Sequence, residues 1–293
     1  MTTLVLTSDR PRSVSLFEKY QILICCVLVL VLTWPFMLVE VLVSRDLIAF
    51  EPPMALMILQ GFMPGLAAIL VAGLTQGREG VRVLLRKILI TRVGLPWYLF
   101  AIFVMGAVSI LAILLTNRLG SMADLPLLSP EMPPSAGPLG ILLNVVILFV
   151  FSAVFNTEEI AWRGFVLPRL QAKYSALTSS LLLSIPWILF HLPLFFKLGS
   201  SQSDAAFVSY AVQLVATTIL FTWMYNHTRG SILPAWLLHA SMNTWTQIFS
   251  INSGASNPLL GWMVNGVLLA LAILVVAIYG AKDLSRTQIR ITE

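Results

Sequence analysis

Apolar residues run along this chain in stretches of about twenty, separated by short breaks that carry charges, prolines or glycines. The runs fall at 21–44, 53–74, 97–117, 139–164, 176–195, 207–226, 232–248 and 259–280. A helix needs about 20 apolar residues to cross the hydrocarbon core of a bilayer. Inside lipid, every backbone N–H and C=O must find its partner within the protein, which a continuous helical run achieves by itself. The pattern therefore predicts an all-α, polytopic integral membrane protein with about eight transmembrane helices.

Composition agrees with the pattern and excludes an ordinary soluble domain: of 293 residues, 58% are apolar and 11% charged, with a mean hydropathy of +0.90. The first run follows Arg10, Arg12 and Lys19, as a secretory leader would. At 20–43, however, it outlasts a leader's apolar region and has no clear small-x-small cleavage site, so a retained helix is expected. Cys25 and Cys26 lie within it. Sequence neighbours on a helix point about 100° apart, so these are expected to be packing residues rather than a disulfide or a metal pair.

The distribution of charge adds an orientation. With eight spans and an inner N-terminus, only Arg45, Arg118 and Lys197 of the 18 basic residues fall on the outer side, leaving 18 − 3 = 15 inside. That bias predicts cytoplasmic termini. The stretch "REGVRVLLRKILITR" (78–92) is expected to lie on the inner leaflet, with membrane lipids as its partner. Its basic residues alternate with aliphatic ones rather than clustering with aromatics, so no nucleic acid partner is expected. The irregular outer loop "SMADLPLLSPEMPPSAGP" (121–138) divides one membrane domain into 1–138, with three helices, and 139–293, with five. No internal repeat is visible.

The two parts differ in chemistry. The first has one charge within a span, Glu40, near enough to the outer end to reach water. The second holds Glu158, Glu159, Arg163, His191, His239 and Asn243. A charge at the centre of a membrane helix costs about 2.5–3.5 kcal/mol on insertion scales, so such groups cluster and serve function. Each has a plainer reading: 157–164 as a wetted helix end, His191 as a structural histidine, His239 and Asn243 as interhelical hydrogen-bond glue. His227, in "YNHTRGS", is expected to be solvent-exposed. On a helix, Glu159 and Arg163 are i and i+4, in the favourable order for an ion pair. Glu158 is then left as the free carboxylate, suited to act as a general base. His239 and Asn243 also share a face. His191 sits deeper than Glu158 and His239, so convergence requires its span to tilt or kink, for which Pro186 gives the means.

These residues resemble the CAAX protease and bacteriocin-processing family of intramembrane endopeptidases, also called the type II CAAX prenyl endopeptidases. "EEIAWR" corresponds to its Glu-Glu-x-x-x-Arg motif, "WILFH" to its aromatic-x-x-x-His motif and "HASMN" to its His-x-x-x-Asn motif. The likeness covers about 140–250. Its second motif usually begins with Phe, where this chain has Trp187. The resemblance implies hydrolysis of a peptide bond in a membrane-associated or lipidated substrate. Glu158, oriented by His191, would activate water; His239 and Asn243 would stabilise the oxyanion; Glu159, Arg163 and Trp187 would support them. A zinc version would use Glu158, His191 and His239 as ligands. No cofactor is favoured, because the His-x-x-x-His pair of zinc proteases is missing and Asn is a poor zinc ligand. The non-catalytic alternatives are a peptide-binding or bacteriocin-immunity protein and a proton-coupled transporter. The transporter reading lacks the internal repeat common to such folds.

Overall fold

The computed structural model describes residues 16–50, 52–120, 124–132, 137–286 and 291–292. Arg10, Arg12, Arg290, both chain termini and parts of the 121–138 loop, which entered the orientation and domain expectations, lie outside the described residues. In chain order the helices are α1 (Leu16–Ser44), α2 (Met54–Arg86), α3 (Leu95–Leu119) and α4 (Gly137–Val154). A π-helical segment, Ile160–Val166, then runs directly into α5 (Leu167–Gln171). There follow α6 (Ala176–Phe190), a 3-10 segment at Leu192–Phe196, α7 (Ser201–Asp204), α8 (Phe207–His227), α9 (Ile232–Ile248) and α10 (Pro258–Tyr279). Among the described residues there is no strand, only an isolated bridge between Leu128 and Phe249.

All eight predicted runs contain helix, and the protein is an all-helical, multi-pass membrane protein. Six helices are long and apolar enough to cross a bilayer: α1, α2 with its extension to Leu89, α3, α4, α8 and α10. α6, with 15 residues, and α9, with 17, are shorter. Leu23, Val27 and Val31 on α1, Leu142, Val146 and Val150 on α4, and Ile273, Leu274 and Ile278 on α10 are exposed. Apolar bands of this extent belong in lipid.

Two predicted spans end early, each for a local reason. The run 139–164 is not one helix. α4 stops at Val154, and the backbone N–H of Glu158 donates to Asn156 Oδ1 at 2.9 Å, a side-chain turn that competes with helical bonding. In the run 176–195 the α-helix stops at Phe190 and the chain tightens into the 3-10 segment, because Pro193 has no N–H to continue the i to i−4 ladder. His191 is thus the C-cap of α6 rather than a mid-span residue. α1 steadies this end: Trp34 Nε1 donates to Phe190 O at 3.2 Å, Arg45 Nε to Phe196 O at 2.6 Å, and Glu40 pairs with Lys197 at 2.7 Å. Glu40 therefore reaches a cation as well as the surface.

The turn after α4 is seated on α2 through small residues. Gly61 and Gly65, four apart, let the backbones approach closely, as small residues do between membrane helices. Thr157 fills the gap: its N–H and its Oγ1 donate to Gly61 O at 2.9 and 2.8 Å, and its Oγ1 accepts from Gly65 N–H at 2.9 Å. A Cβ at Gly61 would fall 1.6 Å from Phe155 O. Gly61→Ala is expected to destabilise the protein by about 1–3 kcal/mol, measured as a lower thermal midpoint in detergent. Gly266→Ala, whose Cβ would meet nothing within 4 Å, is the matched substitution and should leave the midpoint unchanged.

Candidate functional site

The Asn156 turn and the π-helix together present the two glutamates differently. A π-helical turn is rare and concentrates at functional sites. Here every residue of Ile160–Val166 is buried. Glu159 pairs with Arg163 at 2.9 Å, both with fully buried side chains. The Arg163 guanidinium lies 4.3 Å from the centre of the Trp187 ring and 3.9 Å from that of Phe221. Arg163 Nε and Nη2 have no hydrogen-bond partner among the described residues, so the two aromatic rings are what covers the rest of the cation.

Glu158 is not left free, contrary to the expectation from helix geometry. Its Oε2 accepts from two indoles, Trp162 Nε1 at 3.0 Å and Trp187 Nε1 at 2.8 Å. Its Oε1 receives Asn156 Nδ2 at 3.3 Å and lies 3.8 Å from His239 Nε2. One oxygen is clamped by apolar rings with single donors; the other faces the polar side. Trp187 thus supplies a donor that the phenylalanine usual at this motif position lacks.

His239 is positioned from both sides. Its Nδ1 is 2.8 Å from Glu159 Oε1, and its Nε2 is 3.1 Å from Asn156 Nδ2. Because Asn156 Oδ1 is committed to the Glu158 N–H, the amide must turn its Nδ2 toward His239 and Glu158. That assigns the Nδ1–H tautomer to neutral His239, with its Nε2 lone pair accepting from Asn156. His191 Nδ1 donates to Trp187 O at 2.8 Å, so its Nε2 is the acceptor nitrogen. Asn243 Nδ2 donates to Ser152 Oγ of α4 at 3.0 Å.

Glu158, His191, His239 and Asn243 all line one cavity of about 500 Å³, with Asn156 and Ser152 beside them. The turn that precedes the π-helix, the end of α6 and the middle of α9 thus converge on one cavity. Asn156, Trp162, Ser152 and Thr157 were missed. Asn156 had one signal: it stands two residues before a glutamate at the end of an apolar run, where an Asx turn would stop a helix. His227 is not exposed as expected. It packs between the rings of Trp97 and Tyr279, at 5.2 and 4.8 Å, far from the cavity lining.

Residues 138–245 match the family model described as Type II CAAX prenyl endopeptidase Rce1-like. This part of the chain, a little over a third of it, is similar to that family. The matched residues include all three motifs, from Glu158 to Asn243, whereas α1, α2, α3 and α10 lie outside them. A curated relative, the CAAX prenyl protease 2 of Methanococcus maripaludis, is 31% identical over 113 residues. The match takes in 36% of this chain and 42% of the relative, so it spans under half the length of that protein.

The family's alternative metal chemistry can be tested against the donor set. Among the described residues, no three or more His, Cys, Asp or Glu side chains are grouped to hold a metal ion. Glu158 and His239 approach each other, but Glu158 Oε2 is taken by two indole donors and Asn156 Nδ2 occupies His239 Nε2, which leaves Glu158 Oε1 and His191 Nε2 as the cavity-facing acceptors. As arranged, Glu158, His191 and His239 do not fit a zinc ion. Cys25 and Cys26 are buried thiols in α1, without a disulfide.

Proposed function

We propose that this protein is an intramembrane endopeptidase that hydrolyses a peptide bond in a membrane-associated or lipidated substrate, using Glu158 as general base. The observation that carries the reading is the lining of the cavity: a clamped carboxylate, two histidines and an amide meet in one pocket. The match of residues 138–245 to the endopeptidase family model supports it. A water between Glu158 Oε1 and His191 Nε2 would give one proton to the carboxylate while the imidazole accepts its second hydrogen bond. The hydroxide so formed attacks the scissile carbonyl, and the carbonyl oxygen gathers charge. Asn243 Nδ2 is a donor on the cavity wall for that oxyanion. His239 becomes a second donor when Nε2 carries a proton, with the Glu159 carboxylate at Nδ1 stabilising the imidazolium. The proton held by Glu158 then goes to the leaving amine.

In this reading all eight helical runs cross the membrane, both termini are cytoplasmic, and the cavity opens toward that side. Positive charge favours this orientation. The reaction proceeds without a resident metal, for which the occupied donor atoms argue.

Reconstituted protein with lipidated C-terminal peptides, followed by mass spectrometry of the products, tests the activity. Cleavage should persist after exhaustive treatment with a metal chelator. Loss of cleavage that zinc restores would replace Glu158 base catalysis by a metal mechanism. Trp187→Phe should lower kcat about tenfold or more with little change in KM, because a hydrogen bond to a charged group is worth about 1.5–3 kcal/mol and each 1.36 kcal/mol is tenfold in rate. An unchanged kcat would mean that the indole clamp has no part in orienting the base.

A further inference from the structure

The cavity that holds Glu158 has a neighbour on the other side of Asn243. A smaller cavity of about 120 Å³ is enclosed there by α7, α8, α9, α10 and the turn that follows α9. Ser201, Gln202, Asn243, Thr246 and Asn252 line both spaces, so the two adjoin across these side chains. Ser209, Tyr210 and Gln213 of α8 and Gly261 of α10 line the smaller one alone. The wall they form is fixed: Asn265 Nδ2 donates to Ser209 O at 3.0 Å and to Ser209 Oγ at 2.9 Å. A Cβ at Gly261 would lie 2.9 Å from Ser209 Oγ, so a glycine lets α8 and α10 meet here. Tyr210 also packs its ring against His191, with centres 5.6 Å apart. The side pocket therefore begins where the candidate reacting groups end.

Its lining names the kind of group it can take. Among the described residues that line it there is no Asp, Glu, Lys, Arg or His; its polar groups are hydroxyls and the amides of Gln202, Gln213, Asn243 and Asn252. A charged side chain drawn in here would lose its water and meet no opposite charge, which is strongly unfavourable. An uncharged one can lay its stem on Leu214, Met242 or Val264 and bond any polar end to an amide or hydroxyl. The volume is somewhat below the roughly 150 Å³ of a cavity that holds benzene. That suits a leucine or glutamine side chain and is too small for a lipid anchor.

We infer that this side pocket receives an uncharged side chain, up to about the size of leucine or glutamine, from the substrate residue next to the scissile bond, and excludes charged residues from that position. The inference rests on the endopeptidase reading, because it is Asn243, the proposed oxyanion donor, that joins the pocket to the reacting groups. It adds to that reading a specificity that none of the three motifs contains.

The test offers the reconstituted full chain lipidated C-terminal peptides that carry Gly, Gln, Leu, Glu or Lys at one position at a time. Cleavage is ranked by mass spectrometry of the products, and binding of the same peptides is measured alongside. At one position Gln and Leu should be preferred over Glu and Lys by about 100-fold, the effect of burying a charge without a partner. Gln213→Glu retains the shape and sets a carboxylate in the pocket. It should improve the Lys peptide at that position by about tenfold or more, as a close charge pair at an interface does, and leave the Glu peptide excluded. Ala205→Phe, at a half-buried position that lines the side pocket and not the larger cavity, should shift the preference to Gly. It reads the pocket if Gln213→Glu fails to fold. Equal treatment of charged and uncharged residues at every position, or a ranking that neither variant moves, overturns the pocket. Binding with the expected ranking but without cleavage overturns the endopeptidase reading and leaves the pocket in place. Peptides neither bound nor cleaved overturn both.

Discussion

Glu158→Gln should abolish peptide hydrolysis, by about 10²–10⁴-fold or to the detection limit, the usual contribution of a positioned general base. Two indole N–H groups point at Oε2. A glutamine at this position will turn its oxygen to those donors, because its NH2 group would face two N–H groups with nothing to accept. The NH2 then occupies the place of Oε1 and faces the cavity as a donor. Shape and burial are retained while the base is lost. Steady-state cleavage, together with binding of the uncleaved peptide, makes the check: the variant should bind its substrate and not turn it over. Cleavage at the wild-type rate would remove Glu158 from the mechanism.

The second large effect concerns stability. Arg163→Ala should cost about 3–5 kcal/mol, because it leaves the Glu159 carboxylate buried and without its cation. Arg163 and Glu159 are both completely buried, and the guanidinium fills the space between Trp187 and Phe221. Loss of packing therefore adds to loss of charge. The double variant Glu159→Gln, Arg163→Met removes both charges and nearly conserves volume, so it should be markedly more stable than Arg163→Ala. Chemical unfolding in detergent gives the comparison. If the double variant is no better than the single one, the pair is not held by mutual neutralisation. The double variant should nevertheless lose activity, because an amide in place of the Glu159 carboxylate no longer sets a negative charge against His239 Nδ1.

These two effects reach the same segment by different routes, and they separate what was legible in the sequence from what was not. The pairing of Glu159 with Arg163 follows from an interval of four on a helical segment and needs no knowledge of neighbours. The fate of Glu158 could not be read this way. Helix geometry says that it points elsewhere, but Trp162 lies four residues on and Trp187 comes from another helix. A tryptophan in an apolar stretch looks like packing until its N–H is seen to have a target. His227 failed in the opposite direction. A short polar loop suggested water, whereas the rings of Trp97, Trp223 and Tyr279, from three separate helices, enclose it.

The sequence by itself determined the all-helical membrane class, the approximate positions of the helical runs and the motifs whose residues line the candidate cavity. It did so because the penalty for polar groups in lipid is large and local, so that each exception marks itself. Only the tertiary structure decided where α4 and α6 end, that the paired glutamates sit beside a π-helix, and that Asn156 fixes the tautomer of His239. It also decided that α2 breaks at Gly77. Each of these depends on which residue from a distant part of the chain completes a hydrogen bond or a close approach: Thr157 on Gly61 and Gly65, Trp187 on Glu158, Lys87 on Gly164. Hydrophobic periodicity reports which face of a segment is apolar; it does not report which donor will meet which acceptor once the segments pack.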